Sequence, residues 1–243
     1  MEKLKSIYIR EQFQPRLIGL FVNPFYISRR ALYKYTKILG REINGKVLDV
    51  GCGTKPYKNL FNTKLYVGID LYKKSKKMCN YADTLYDGKN APFSDEAFDS
   101  ILCNQVLEHV YDYDQFFKEL NRLLKTDGIL LLSVPFIWDE HEQPNDYRRF
   151  TSFGIISEMK LYGFDVLTSI KTLSDASLIF QIINLYITKI INSKNKYVNI
   201  VLSILLTSPF NILGILLSKV LPKNKDLYLD NIVLAKKKVS LKD

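Results

Sequence analysis

A chain of 243 residues and 28.2 kDa is long enough for one large α/β domain or two small ones. Hydrophobic residues at 47% and charged residues at 25% exclude a disordered chain, a collagen-like fibre and a small disulfide scaffold. The formal charge of +10 points to an anionic partner, either nucleic acid or a membrane surface.

That charge is uneven. Residues 1–46 carry +7, residues 47–175 carry −4 and residues 176–243 carry +7. Cys52, Cys79 and Cys103 are too few and too irregularly spaced for a disulfide framework. The start, Met1 to Lys5, has no apolar signal region, so a cytosolic, reducing setting is expected.

In chain order, residues 1–45 read as a basic, apolar N-terminal helical arm or lid, with Leu17, Ile18, Leu20, Phe21 and Val22 before Asn23-Pro24-Phe25-Tyr26. Arg29, Arg30, Lys34 and Lys37 follow on one helix, where a solvated face is the plain reading. Lys46–Val50, Leu65–Ile69, Ser100–Cys103 and Ile129–Val134 are short apolar runs that predict strands. Phe116, Phe117, Leu120, Leu123 and Leu124 follow helical spacing, which predicts a helix over 113–124 ended by Gly128. Phe164–Ile170 and Tyr228–Ala235 predict two more strands, with basic residues after the second. Strands alternating with helices make an α/β fold, a mostly parallel sheet covered on both faces.

The most informative stretch is Val47-Leu48-Asp49-Val50-Gly51-Cys52-Gly53-Thr54. A strand runs into a glycine pair, where a side chain would block a ligand lying against the backbone. Asp70 closes the next strand, 21 residues after Asp49, where an acid would hold a ribose hydroxyl pair. A dinucleotide site wants a third small residue where Pro56 stands. A glycine turn preceded by Asp49 suits S-adenosylmethionine instead, which has no pyrophosphate to cradle.

These residues resemble the class I S-adenosylmethionine-dependent methyltransferases, in the broad group with the ubiquinone- and menaquinone-biosynthesis-like enzymes. Val47–Thr54 is similar to their first motif and Val67–Asp70 to their second. Asp83 with Ala91–Asp99, then Asn104–Val110, then Leu123–Leu130 resemble three more. The likeness covers about residues 45–175 and the last strand. It implies a Rossmann-like, doubly wound seven-stranded sheet with an antiparallel last strand, in a domain over 46–243. It implies that Asp49, Gly51, Cys52 and Gly53 form the cofactor turn under the methionine part. Asp70 would bind the ribose, with Leu71 beside it. Asp83 would face the adenine, and Asn104 and Gln105 would flank the methionine end. The loop from Asp83 to Pro92 is longer than usual, so Asp87 is the alternative to Asp83.

Methyl transfer needs positioning and, for an oxygen or nitrogen nucleophile, removal of a proton. The only two histidines, His109 and His141, follow the fourth and fifth predicted strands, at the carboxyl edge where ligands bind. Both are catalytic candidates; local packing at a helix start is the alternative for His109. His141–Thr151 resembles an "HE.P.DY.RFT" segment of one methyltransferase subgroup. That likeness makes His141 a base or substrate anchor and Glu142, Asp146, Tyr147 and Arg148 acceptor contacts. Two histidines alone are weak evidence for a metal, so none is expected.

Between the last two strands, where the family has a short connection, residues 176–222 form a hydrophobic helical insert with no acid and four lysines. Tyr197–Ser218 is uncharged for 22 residues, close to a membrane span, but Pro209 interrupts it. Asn199, Ser203, Thr207, Asn211, Gly214 and Ser218 recur as a narrow polar stripe, as do Gln181, Asn184, Thr188 and Asn192. Residues 228–235 belong to the same sheet as residues 47–50, so the insert must return to the side it left. A membrane surface, a cap on the protein or a dimer interface are the open readings.

The expected activity is methyl transfer to a small-molecule or lipid-linked acceptor, peripheral on the inner face of a membrane. An RNA methyltransferase is the alternative, though nucleic acid fits basic segments interleaved with aliphatic runs poorly. A non-catalytic, cofactor-binding scaffold is the other. Acceptor and oligomeric state are not legible.

Overall fold

The computed structural model describes residues 9–72, 81–191 and 193–238; the Met1–Lys5 start, Cys79 and Asn192 lie outside them. The chain folds as two compact units. One comprises residues 35–136, 140–170 and 231–243, the other residues 1–34, 137–139 and 171–230.

The first unit is built on a seven-stranded sheet. Its strands are β1 (Asn44–Val50), β2 (Asn62–Leu71), β3 (Thr84–Tyr86), β4 (Phe98–Asn104), β5 (Leu124–Pro135), β6 (Phe164–Lys171) and β7 (Asp230–Lys237). Their order is β3-β2-β1-β4-β5-β7-β6, with β7 antiparallel. The β1–β2, β1–β4, β2–β3 and β4–β5 pairs are parallel. Leu48, Val50, Ile101, Cys103, Leu130 and Leu132 are buried, as central strands covered on both faces require.

Helix α2 (Tyr113–Leu123) starts where Asp112 accepts a hydrogen bond from Gln115 N, and helix α3 (Ser152–Leu161) where Thr151 accepts one from Gly154 N. Phe116, Phe117, Leu120 and Leu123 place α2 in the core. Gly128 does not end this helix. Leu124 is already extended, and Gly128 lies inside β5, within a register shift in its pairing with β4 between Leu124 and Ile129. The last strand runs on through Lys236 and Lys237 to a buried end. Lys237 is 1% exposed and donates to the carbonyls of Asn121 and Leu124 at 2.8 and 2.7 Å. A buried cation there satisfies carbonyls that the end of α2 leaves open. Lys236 and Lys238 pair with Asp127 and Asp165.

The second unit contains most of α1 (Tyr26–Leu39), with α4 (Ser177–Ile191), α5 (Lys196–Leu202) and α6 (Ser208–Val220). A π-helical turn, Ser203–Thr207, joins α5 to α6. Pro209 does not break the helix: it falls in the first turn of α6, which directly follows the π-helical turn. The continuous helix Tyr197–Val220 is, among the described residues, the one long and apolar enough to cross a membrane.

This unit buries amides beside Tyr26, Ile27, Leu178 and Leu185, and leaves a set of large apolar side chains exposed. Gln181, Asn184 and Asn211 are fully buried. Asn184 donates to Asn211 Oδ1 at 2.9 Å, and Asn211 donates to the carbonyls of Leu20 and Asn23. Gln181 Oε1 accepts from Ser28 N at 3.0 Å. Glu11, also fully buried, accepts from the backbone N–H groups of Arg16 and Gly19. Leu17, Phe21, Tyr186, Leu205, Leu216 and Val220 are exposed. The polar stripe legible in the sequence is therefore the packing face. By sequence count the unit holds 14 basic and 6 acidic side chains, or +8 of the +10.

Candidate active site

The site is assembled at the carboxyl edge of β1, β2 and β4 in the sheet-containing unit, where parallel strands hand their chain to loops. The turn after β1 holds Gly51 at φ +65° and Gly53 at φ +49°. A Cβ on Gly51 would stand 2.5 Å from Val106 Cγ2, whereas a Cβ on Gly53 would meet nothing within 4 Å. Gly51 is thus required for close packing, and Gly53 borders open space. Gly53 N donates to Asp70 Oδ2 at 3.3 Å, and Leu71 N donates to Asp70 Oδ1 at 2.8 Å.

A cavity of about 320 Å³ lies here, lined by Gly51, Gly53, Asp70, Leu71, Tyr86, Asp87, Gly88, Gln105, Val106, His109, Tyr111 and Glu142 among others. Its size is at the lower end for small-molecule sites. Of the residues named from the sequence, Gly51, Gly53, Asp70, Leu71, Gln105, His109 and Glu142 are brought together.

The others stand behind this lining. Asp49 is buried and accepts a 2.7 Å hydrogen bond from Tyr66. Burial pushes its carboxyl up to about 7, against the Tyr66 hydrogen bond and nearby Lys55. Cys52 is buried with its thiol pushed up to about 12, and it occupies the space beside Gly68. Asn104 accepts from Ser133. Asp83 pairs with Lys55 Nζ at 2.6 Å and accepts from Gly68 N at 2.7 Å, and it is not among the residues lining this cavity. Burial opposes ionisation of Asp83, but these partners outweigh it and hold its carboxyl low. Asp87 takes the lining position instead. The N–H groups of Lys89 and Asn90 hold Asp87 below the usual carboxylate range.

The two histidines meet, with ring centroids 4.7 Å apart. His109 Nδ1 is 2.7 Å from the carbonyl of Asn145, so Nδ1 carries the proton. His141 Nδ1 lies 3.2 Å from Asp146 Oδ2, and Arg149 grips both oxygens of that carboxylate at 2.6 and 2.7 Å. Burial opposes the Asp146 charge, but Arg149 and His141 bring its carboxyl down to about 2. Glu108 is fully buried beside them, with Oε1 3.9 Å from His109 Nε2. Arg148 and Tyr147 brace the lining. Arg148 donates to the carbonyls of Val110 and Tyr111 and covers the Tyr113 ring. Tyr147 N donates to the Glu108 carbonyl, and its ring meets Tyr111 edge-on.

Tyr86 and Tyr111 line the cavity without a sequence signal of their own, beside Val106 and Phe116, read from the sequence only as motif and helix positions. Each is an apolar residue whose place depends on which loop faces the site.

Comparison with known proteins gives the family and the fold. The sequence profile of a family described as "Methyltransferase domain" matches residues 48–132. An uncharacterised protein of Methanocaldococcus jannaschii is 31% identical over 186 residues, covering 70% of this chain and 78% of that one. A demethylmenaquinone methyltransferase of Staphylococcus saprophyticus is 34% identical over 99 residues, covering 35% of this chain and 42% of that one. The structure of Haemonchus contortus phosphoethanolamine N-methyltransferase 2 in complex with S-adenosyl-L-methionine shares the fold at a TM-score of 0.56 and 18% identity, over 94% of this chain and 59% of that one. The open space over Gly53 and the Asp70 carboxylate on the same cavity fit that cofactor. This chain belongs to the class I S-adenosylmethionine-dependent methyltransferases.

Proposed function

We propose that this enzyme methylates a small or lipid-linked acceptor at a membrane surface. S-adenosylmethionine supplies a methyl group already activated on a sulfonium. In this reading Asp70 accepts hydrogen bonds from the ribose hydroxyls and Asp87 serves the adenine. The backbone at Gly51 and Gly53 passes under the methionine part, and Gln105 flanks it. His109, His141 and Glu142 handle the acceptor nucleophile, with Tyr147 and Arg148 bracing their loop.

One observation carries the membrane half of the proposal: the helical unit exposes Leu17, Phe21, Tyr186, Leu205, Leu216 and Val220, while it buries Gln181, Asn184 and Asn211 and holds +8 of charge. In water the opposite arrangement is favoured, because exposed Leu205 and Leu216 forgo burial. A basic helical surface with an apolar face suits anionic lipid. The name of the Staphylococcus relative adds a quinone-type acceptor as a candidate.

The test is co-sedimentation of the full chain with anionic and zwitterionic vesicles, beside a Leu205→Asp/Leu216→Asp variant. The proposal expects binding to anionic vesicles that the variant loses while keeping its cofactor affinity. Equal recovery of both proteins in the supernatant refutes the membrane reading. Tight, steeply salt-dependent RNA binding would favour an RNA acceptor instead.

A further inference from the structure

We infer that Glu108, His109 and His141 form a divalent-cation site on the acceptor side of the cavity. The inference deepens the reading of this chain as a methyltransferase, and rests on it. It assigns the two histidines as ligands that work through an ion rather than as a free base.

Each of the three residues offers one ligand atom, and these atoms lie within 4.8 Å of one another. With ligands about 2.1 Å from an ion, the set needs to contract by roughly an ångström to close. The outer partners matter as much as the ligands. A ligating imidazole characteristically gives its other ring nitrogen to a carbonyl or carboxylate, which sets the tautomer. Both histidines have that arrangement. His109 Nδ1 is held by the Asn145 carbonyl at 2.7 Å. His141 Nδ1 faces the Asp146 carboxylate at 3.2 Å, itself clamped by Arg149. Ligation would then fall to Nε2 of each ring, and His109 Nε2 already lies 3.9 Å from Glu108 Oε1. Full burial of Glu108 favours its charge only with a cation beside it, as ligation would supply. Two imidazoles and one carboxylate suit zinc, iron(II), cobalt(II) or manganese(II) better than magnesium or calcium.

His109 also lines the cavity with Gly51 and Asp70, so an ion held there faces the acceptor. The substrate class this implies is an acceptor with an oxygen nucleophile. Coordination lowers the pKa of the acceptor hydroxyl, whose proton passes to water. The freed oxygen lone pair forms the new O–CH3 bond as the S–CH3 bond breaks with its electron pair left on sulfur. Charge balances, because sulfonium and alkoxide become thioether and ether.

The experiment uses the full chain, stripped with a chelator and titrated with cobalt(II), read by its visible d–d absorption. Cofactor affinity is measured in parallel by calorimetry without metal. The expected result is one cobalt per chain. A His109→Ala/His141→Ala variant should lose the signal, and Asp146→Asn should weaken binding roughly 10–100-fold. Glu108→Gln is read only if its cofactor affinity is intact; otherwise the histidine variant decides. Absence of stoichiometric cobalt binding, or binding unchanged in the double variant, overturns the site. Cofactor binding with no cobalt binding sinks the ion and leaves the methyltransferase reading standing. Cobalt binding without cofactor binding does the reverse.

Discussion

Tyr66 donates a 2.7 Å hydrogen bond to Asp49, a fully buried carboxyl two residues before the glycine turn, and burial pushes that carboxyl up to about 7. A raised acid contributes its stability below its unfolded pKa, about 3.9, and loses it as pH rises through about 7. Wild-type protein should therefore lose stability from pH 4 to 7 through this residue. Asp49→Asn stays neutral and can still accept from Tyr66. Its advantage over wild type should grow between pH 5 and pH 8, by about 2–4 kcal/mol. Urea midpoints at the two pH values check this, and a constant difference refutes it.

Gly51 and Gly53 should respond differently to alanine. Gly53→Ala adds a methyl into open space at positive φ, so it should cost only about 1 kcal/mol of stability. It should nonetheless weaken cofactor binding tenfold or more, because that space is the cavity. Gly51→Ala meets Val106 and should cost roughly 2 kcal/mol or more. Thermal melts paired with calorimetry separate the two effects.

The acids should rank by their place on the cavity. Asp70→Ala should raise the cofactor dissociation constant about 10–100-fold, the value of charged hydrogen bonds. Asp87→Asn should weaken binding more than Asp83→Asn, because Asp83 faces Lys55 and Gly68. The reverse order would return the adenine role to Asp83.

His141→Ala should lower turnover by about 10²–10⁴-fold while leaving cofactor affinity unchanged. Unaltered turnover refutes any part for His141 in the reaction.

Lys237→Met should cost about 1–3 kcal/mol, since it leaves the Asn121 and Leu124 carbonyls buried without their donor. Guanidinium unfolding measures this, and a neutral result would deny the cap on α2.

Much of this protein was legible in order along the chain. The strand, glycine pair and spaced Asp70 are local signals. A turn that must approach a ligand needs glycine, and an acid one strand away falls at the same sheet edge. Those signals carried the fold, the cofactor and, of the lining, Gly51, Gly53 and Asp70. The sequence also exposed the polar stripe through Asn184 and Asn211, because helical periodicity is written in one dimension. It could not say which way that stripe turns. Only packing decided that the amides face inward, since Asn211 meets carbonyls some 190 positions away in the N-terminal arm. The same limit explains Asp83 and Asp87: four positions apart, they differ in which neighbours the loop brings to each. His109 and His141 were visible as two separate residues, and tertiary structure alone placed their rings 4.7 Å apart beside Glu108. Spacing along a chain specifies local chemistry, whereas the company a side chain keeps depends on long-range folding.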